Sequence, residues 1–145
     1  MNIVIQRVTS AQVTINNKNT AVIGPGLVVL VGLENTDKEE TLVLASQKIL
    51  SMRIFEDAAG KMNLSVKDIA GALLIVPNFT LAADLRKGNR PSFDTSLNPQ
   101  QARPLFEKLV AMFEQSALHV AAGSFGAAMK ISLTNDGPVT FTLRV

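Results

Sequence analysis

At 145 residues, 47% of them hydrophobic and 18% charged, the chain is long enough to bury a full core as one domain, residues 1–145, without covalent staples. It has no Cys, which excludes disulfides, thiolate metal sites and a Cys–His dyad, and one His, which leaves a Ser–His–Asp triad dependent on His119. A net charge of +2, from 14 Lys and Arg against 12 Asp and Glu, is too mild for a duplex-binding protein, and no apolar run approaches the ~20 residues that span a bilayer. No charged leader precedes an apolar segment. Neither DNA nor a membrane is expected as a partner, and a cytoplasmic location is the default. The apolar balance points to surface buried between subunits, hence to a homo-oligomer.

In chain order, Ile3, Val4, Ile5 and Val8, then Val13 and Ile15, form β-branched runs closed by Asn16-Asn17-Lys18-Asn19, which predicts an N-terminal antiparallel hairpin. Ala21-Val22-Ile23 is a third short strand. Gly24-Pro25-Gly26 breaks it, and the unbroken apolar run 27–31 predicts a strand buried on both faces. Thr36 with Glu39 has capping-box spacing, and Leu42, Ala45, Ile49 and Met52 recur at helical period, so a helix is expected over 37–51. Arg53-Ile54-Phe55 reads as a strand, 61–65 as weakly structured, and 72–76 as a second buried strand stopped by Pro77. Asn98, Pro99 and Gln101 supply a cap, a first-turn Pro and a box partner for a second helix with Leu105, Leu109, Met112 and Phe113 on one face. Strands are expected at 119–122, 127–133 and 139–145. Thr134-Asn135-Asp136-Gly137-Pro138-Val139-Thr140 between the last two is turn chemistry, read as a hairpin turn. On residues alone its Gly-Pro bond is expected trans, since only about 5–6% of X–Pro bonds in folded proteins are cis. The sum is an α+β fold: largely antiparallel, curled sheets over two main helices.

Candidate chemistry is sparse. His119 lies where a helix ends and an apolar strand begins, a structural position. No His/Asp/Glu cluster has ligand spacing, so no metal is implied, and Gly24-Pro25-Gly26 has no helix behind it to bind phosphate. No cofactor is implied. Thr80, at the exit of a buried strand in Pro77-Asn78-Phe79-Thr80, could join backbone N–H groups in an oxyanion hole or be an ordinary turn residue. Asp84 beside Arg86 and Lys87 reads as a surface ion-pair partner rather than a base. Arg86, Lys87 and Arg90 form either a phosphate patch or a solvated basic loop.

Seven segments in order resemble the D-aminoacyl-tRNA deacylase family over essentially the whole chain: Gln6-Arg7-Val8, Arg53-Ile54-Phe55, Lys61-Met62-Asn63-Leu64, Phe79-Thr80-Leu81-Ala82-Ala83-Asp84, Arg90-Pro91-Ser92-Phe93, Phe125-Gly126-Ala127 with Met129, and 132–140. The departure is Pro77-Asn78, where the family usually reads Ser-Gln; a sister branch acting on L-alanyl-tRNA also places Pro first. Asn78 keeps the amide but is one methylene shorter.

The resemblance implies hydrolysis of the ester of D-aminoacyl-tRNA, and of glycyl-tRNA mischarged on an alanine tRNA, by a homodimer that binds the 3′ end of aminoacyl-tRNA. It implies a cis Gly137-Pro138 unit, supplied across the dimer interface, whose carbonyls reject an L side chain. Arg7 would brace that unit. Phe79 and Thr80 would act through backbone donors or positioning, Thr80 being alternatively a nucleophile. Asn78, Phe125, Ala127 and Met129 would line the adenosine or aminoacyl pocket, though Met129 also suits core packing. A non-catalytic dimeric module that holds tRNA ends is the alternative.

Overall fold

The computed structural model describes residues 1–86 and 88–145; Lys87, part of the basic loop noted above, lies outside the described residues. In chain order the elements are β1 (Asn2–Ile15), β2 (Lys18–Ile23), β3 (Gly26–Gly32), α1 (Glu39–Ser51), β4 (Phe55–Glu56), β5 (Met62–Leu64), β6 (Ala72–Pro77), a 3₁₀ turn (Phe79–Ala82), α2 (Pro99–Glu114), β7 (Val120–Ala122) and β8 (Lys130–Arg144). The main sheet runs β2-β1-β3-β6-β7, with β8 also paired to β1, and β4 and β5 form a separate ribbon.

β3 and β6 are central, as their unbroken apolar runs require. Side chains alternate along a strand, so Leu27, Val29, Val31, Leu73 and Ile75 pack with α1 and α2, while Val28, Leu74 and Val76 pack with Val8, Val13, Ala21 and Ile23 of β1 and β2. One face of the sheet thus meets the helices, and the other closes on its own strands in a curl. His119, exposed, sits where the curl closes, its Nε2 3.3 Å from the carbonyl oxygen of Val22.

The antiparallel expectation holds for the three pairings of β1, but β3–β6 and β6–β7 are parallel. Parallel neighbours need a long crossover, and α1 and α2 each lie in one. β1 is a single strand of 14 residues rather than two, because β8 follows one edge throughout while β3 and then β2 share the other. The hairpin turn to β2 is Asn16-Asn17 alone, with Ile15 opposite Lys18 and both Asn at positive φ (50° and 61°), the form that suits a two-residue loop.

α1 starts two residues later than expected. The Thr36–Glu39 box does not form; Asp37 instead accepts from the backbone N–H of Glu34 (2.7 Å), and Thr41 Oγ1 accepts from the N–H of Lys38. α2 is capped as expected, Asn98 Oδ1 accepting from the N–H of Gln101 at 3.1 Å. Its buried face is Ala102, Phe106, Leu109 and Phe113; Leu105 and Met112 are only partly covered. Residues 53–54 precede the short strand β4, and 61–65, read as weakly structured, contain β5.

The largest correction is at the C-terminus. Residues 127–129 are not strand, and 134–140 is no hairpin turn: it lies inside the single strand β8. Opposite β1, Val8 faces Asn135 and Gln6 faces Thr140, so the chain between bulges out of the ladder and then rejoins the same edge. Asn135 bridges this excursion, its Nδ2 donating to the carbonyls of Arg7 (2.9 Å) and Val139 (3.1 Å). The Gly137-Pro138 bond within it is cis, against the expectation from residues alone.

Candidate functional site

β6 ends at Pro77, and the next residue turns the chain: the N–H of Asn78 donates to the carbonyl of Val31 at 2.7 Å, and the 3₁₀ turn then folds over β3. Gly32 makes this close approach feasible. A Cβ there would lie 2.7 Å from Leu81 Cβ and 2.9 Å from the carbonyl oxygen of Asn78.

The turn forms one wall of a cavity of about 540 Å³. Asn78 and Phe79 line that wall, Pro99, Ala102 and Phe106 of α2 line the second, and Phe125, Gly126, Ala127 and Met129 the third. Val31, Leu33 and Leu97 contribute further apolar surface, and Phe93 closes against Phe79 with ring centroids 5.2 Å apart. Among the lining residues the polar side chains are Asn78, Ser96 and Asn98. A largely apolar hollow with a few convergent polar groups is the usual form of a small-molecule or nucleoside site. Met129 lines the cavity and also packs against the core formed with β1 and β2.

Thr80 is exposed at the rim rather than in the lining, and its Oγ1 donates to Asn78 Oδ1 at 2.5 Å. The first N–H groups of a helical turn have no carbonyl behind them within the turn. Those of Phe79 and Thr80 find no backbone acceptor among the described residues.

Arg7 lies elsewhere, 6% exposed in β1. Its Nη1 donates to the carbonyl of Ile54 at 2.7 Å and its Nε to the carbonyl of Asp136 at 3.2 Å; Asp136 Oδ2 is 2.9 Å from Nε. The guanidinium also stands 5.9 Å from the ring centre of Phe55. Arg7 therefore holds the residue immediately before Gly137. A Cβ on Gly137 would overlap the backbone nitrogen of Val139, so no side chain fits there as the chain is folded. Neither Gly137 nor Pro138 lines the cavity of its own chain.

Several site residues have no equivalent in the sequence reading. Phe106 was legible from the i, i+4 spacing with Ala102, and Phe93 only as part of the family segment Arg90-Pro91-Ser92-Phe93, whereas Leu33 and Gly32 carry no local signal. Three loops are laced around the cavity: Thr95 Oγ1 donates to the carbonyl of Ala82 (2.5 Å), the N–H of Leu97 to Leu33 (3.0 Å), and Asn2 Nδ2 to Leu81 (3.2 Å) and to Glu34 Oε1 (3.1 Å). Asp84 is the ion-pair partner expected. Hydrogen bonds from the Arg86 side chain (2.9 and 2.6 Å), then from its backbone N–H, hold the Asp84 carboxyl down to about 2. Arg86 is thereby occupied, and Arg90 is exposed. No cluster of three or more acidic or His side chains placed to hold a metal ion occurs among the described residues, and no helix is long and apolar enough to cross a membrane.

The family model described as D-Tyr-tRNA(Tyr) deacylase matches residues 4–144. Proteins named D-aminoacyl-tRNA deacylase from Nitrosococcus oceani and Pseudoalteromonas translucida are 52% and 53% identical to this chain over 141 residues. These alignments cover 97% of this chain and 91% and 97% of those proteins. A solved structure described as a c-Myc DNA unwinding element binding protein superposes with a TM-score of 0.95 at 36% identity, covering 100% of this chain and 99% of that one. A probable eukaryotic D-amino acid tRNA deacylase shares the fold, with a TM-score of 0.85 at 18% identity over 98% of this chain and 97% of its own. The α+β fold is thus that of a known class of hydrolases, the D-aminoacyl-tRNA deacylases. The chain belongs to the D-Tyr-tRNA(Tyr) deacylase family.

Proposed function

We propose that this protein hydrolyses the ester joining a D-amino acid to the terminal ribose of tRNA, releasing free D-amino acid and tRNA. The observation that carries this reading is the cavity itself: apolar walls with exposed rings, bounded by a 3₁₀ turn whose leading N–H groups lack backbone acceptors. Water attacks the ester carbonyl, negative charge grows on the carbonyl oxygen, the C–O bond to ribose breaks, and the ribose oxygen takes a proton. Donors fixed in advance where that charge develops lower the barrier most, and the N–H groups of Phe79 and Thr80 are such donors. Thr80 acts as a positioner, since its hydroxyl is committed to the Asn78 amide rather than to an activating base. Asn78, Phe125, Ala127 and Met129 receive the adenosine and the amino acid.

Chirality is read by Gly137 and Pro138 of a second subunit in a homodimer, with Arg7 bracing them through Asp136. Their position outside the cavity of their own chain supports delivery from a partner, and the half-exposed Ile131 and Phe141 on β8 supply apolar surface for an interface. Glycine has no side chain to reject, so glycyl-tRNA mischarged on an alanine tRNA is a second substrate. A cytoplasmic location fits such substrates. Incubating the purified protein with D- and L-tyrosyl-tRNA tests the reading: selective release of D-tyrosine is expected, and no release above the spontaneous rate would refute it.

A non-catalytic nucleic-acid-binding module is the second reading, favoured by the name of the neighbour at 36% identity. Tight binding of the acceptor end without ester hydrolysis in the same assay would select it.

A further inference from the structure

Arg103 occupies the rim of the cavity in a form the active-site reading leaves unused. On α2, Pro99, Ala102 and Phe106 face the cavity, and Arg103, one turn after Pro99, lies at its edge. Its Nη2 donates to the carbonyl of Phe125 at 3.2 Å, and its guanidinium carbon stands 5.2 Å from the centre of the Phe125 ring. That ring is in turn 6.1 Å from Phe106. Gly126, at φ +81°, adjoins the group, and a Cβ there would make only ordinary contact with Nη2, at 3.7 Å. The guanidinium is therefore held beside the Phe125 ring by a cation–π contact and one nitrogen. Among the described residues its remaining donors find no firm partner, the nearest carboxylate being Glu107 at 3.9 Å, and the side chain is 55% exposed.

We infer that Arg103 binds a backbone phosphate of the single-stranded acceptor end, just outside the cavity that receives the terminal nucleoside. An arginine stacked on an aromatic ring is pre-organised, so it loses little freedom when a phosphate oxygen arrives, and its planar fork matches that anion better than an ammonium would. The terminal nucleoside enters between Phe79, Phe106 and Phe125, and the strand behind it carries one phosphate per nucleotide out past this rim. Arg103 thus separates tRNA from free aminoacyl-nucleoside, and leaves the ester chemistry to the 3₁₀ turn.

The inference rests on the deacylase reading, and the test keeps the two apart. Hydrolysis of D-tyrosyl-tRNA and of phosphate-free D-tyrosyl-adenosine is measured for wild type, Arg103→Gln and Arg103→Lys across a range of salt. For Arg103→Gln on tRNA, kcat/KM is expected to fall about three- to fivefold at low salt through KM, the size of one exposed charge contact. The slope of log kcat/KM against log salt is expected to flatten by about 0.7, one phosphate on a single strand. On D-tyrosyl-adenosine the variant is expected to match wild type, and Arg103→Lys to recover the salt slope. An equal loss on both substrates would make Arg103 a prop for the Phe125 wall and overturn the inference, as would an unchanged salt slope. Wild-type protein that hydrolyses neither ester overturns the deacylase reading, and the phosphate contact with it.

Discussion

The α2 wall of the cavity and the Arg7 centre are held in different ways. Along α2, Ala102, Phe106, Leu109 and Phe113 are buried among side chains of several elements, and the wall's position is shared by many weak contacts. The 134–140 excursion has little such packing: of its residues only Val139 is buried, and its shape depends on Asn135 and on one guanidinium reaching Ile54, Asp136 and, more distantly, Glu56. A wall made of packing degrades in proportion to the volume removed. A loop held by one amide and one buried cation fails if either is removed.

Removing volume from the wall gives the largest expected effect. Phe106→Ala is expected to cost about 3–4 kcal/mol in urea unfolding and Phe106→Leu about 1; a loss under about 1 for the alanine variant would mean the wall is not held by packing. Next comes Arg7→Ala, which leaves the Ile54 carbonyl without its donor and frees Asp136. About 2–3 kcal/mol is expected, with D/L selectivity on tyrosyl-tRNA lost beyond what the fall in stability explains. Arg7→Lys should recover only part, because an ammonium cannot reach acceptors on two sides at once. Full selectivity in a folded Arg7→Ala protein would detach this centre from the site.

Thr80→Ala sharpens the contrast on the cavity side. Loss of an oxyanion donor costs about 10²–10³ in turnover, whereas loss of a hydroxyl that only steadies Asn78 should lower kcat less than about tenfold. An acyl-enzyme trapped on Thr80 by rapid quench and mass spectrometry would reverse its role. The smallest effect belongs to Asp84, outside both regions. Its carboxyl is lowered from 3.8 to about 2 in the folded protein, so the stability it contributes is present above about 3.8 and lost as pH falls through about 2. Asp84→Asn should therefore lower the melting temperature slightly at pH 7, flatten its fall between pH 4 and pH 2, and match wild type near pH 2. A parallel fall in both proteins would show the ion pair to be idle in solution.

Local pattern determined much of this molecule. The apolar runs at 27–31 and 72–76 placed the two central strands, Asn98-Pro99 capped α2, and Asn16-Asn17 made the hairpin, because each signal acts over a few residues of backbone or one helical face. Of the site, Asn78, Phe79 and 125–129 were legible as a strand exit and a family segment. The partner of β3 was not. Fully buried runs are what parallel pairing demands, yet which strand comes alongside is decided by where the crossover helix lands. Nor could residues 134–140 be told from a hairpin turn by their chemistry, since Asn-Asp-Gly-Pro suits any reversal of direction. Only the long edge of β1, paired on both sides of the excursion, returns the chain to the ladder as one strand. Gly32 and Arg103 come beside the cavity for the same reason. Their roles come from contacts that no stretch of neighbouring residues encodes, and the tertiary fold alone brings those contacts into being.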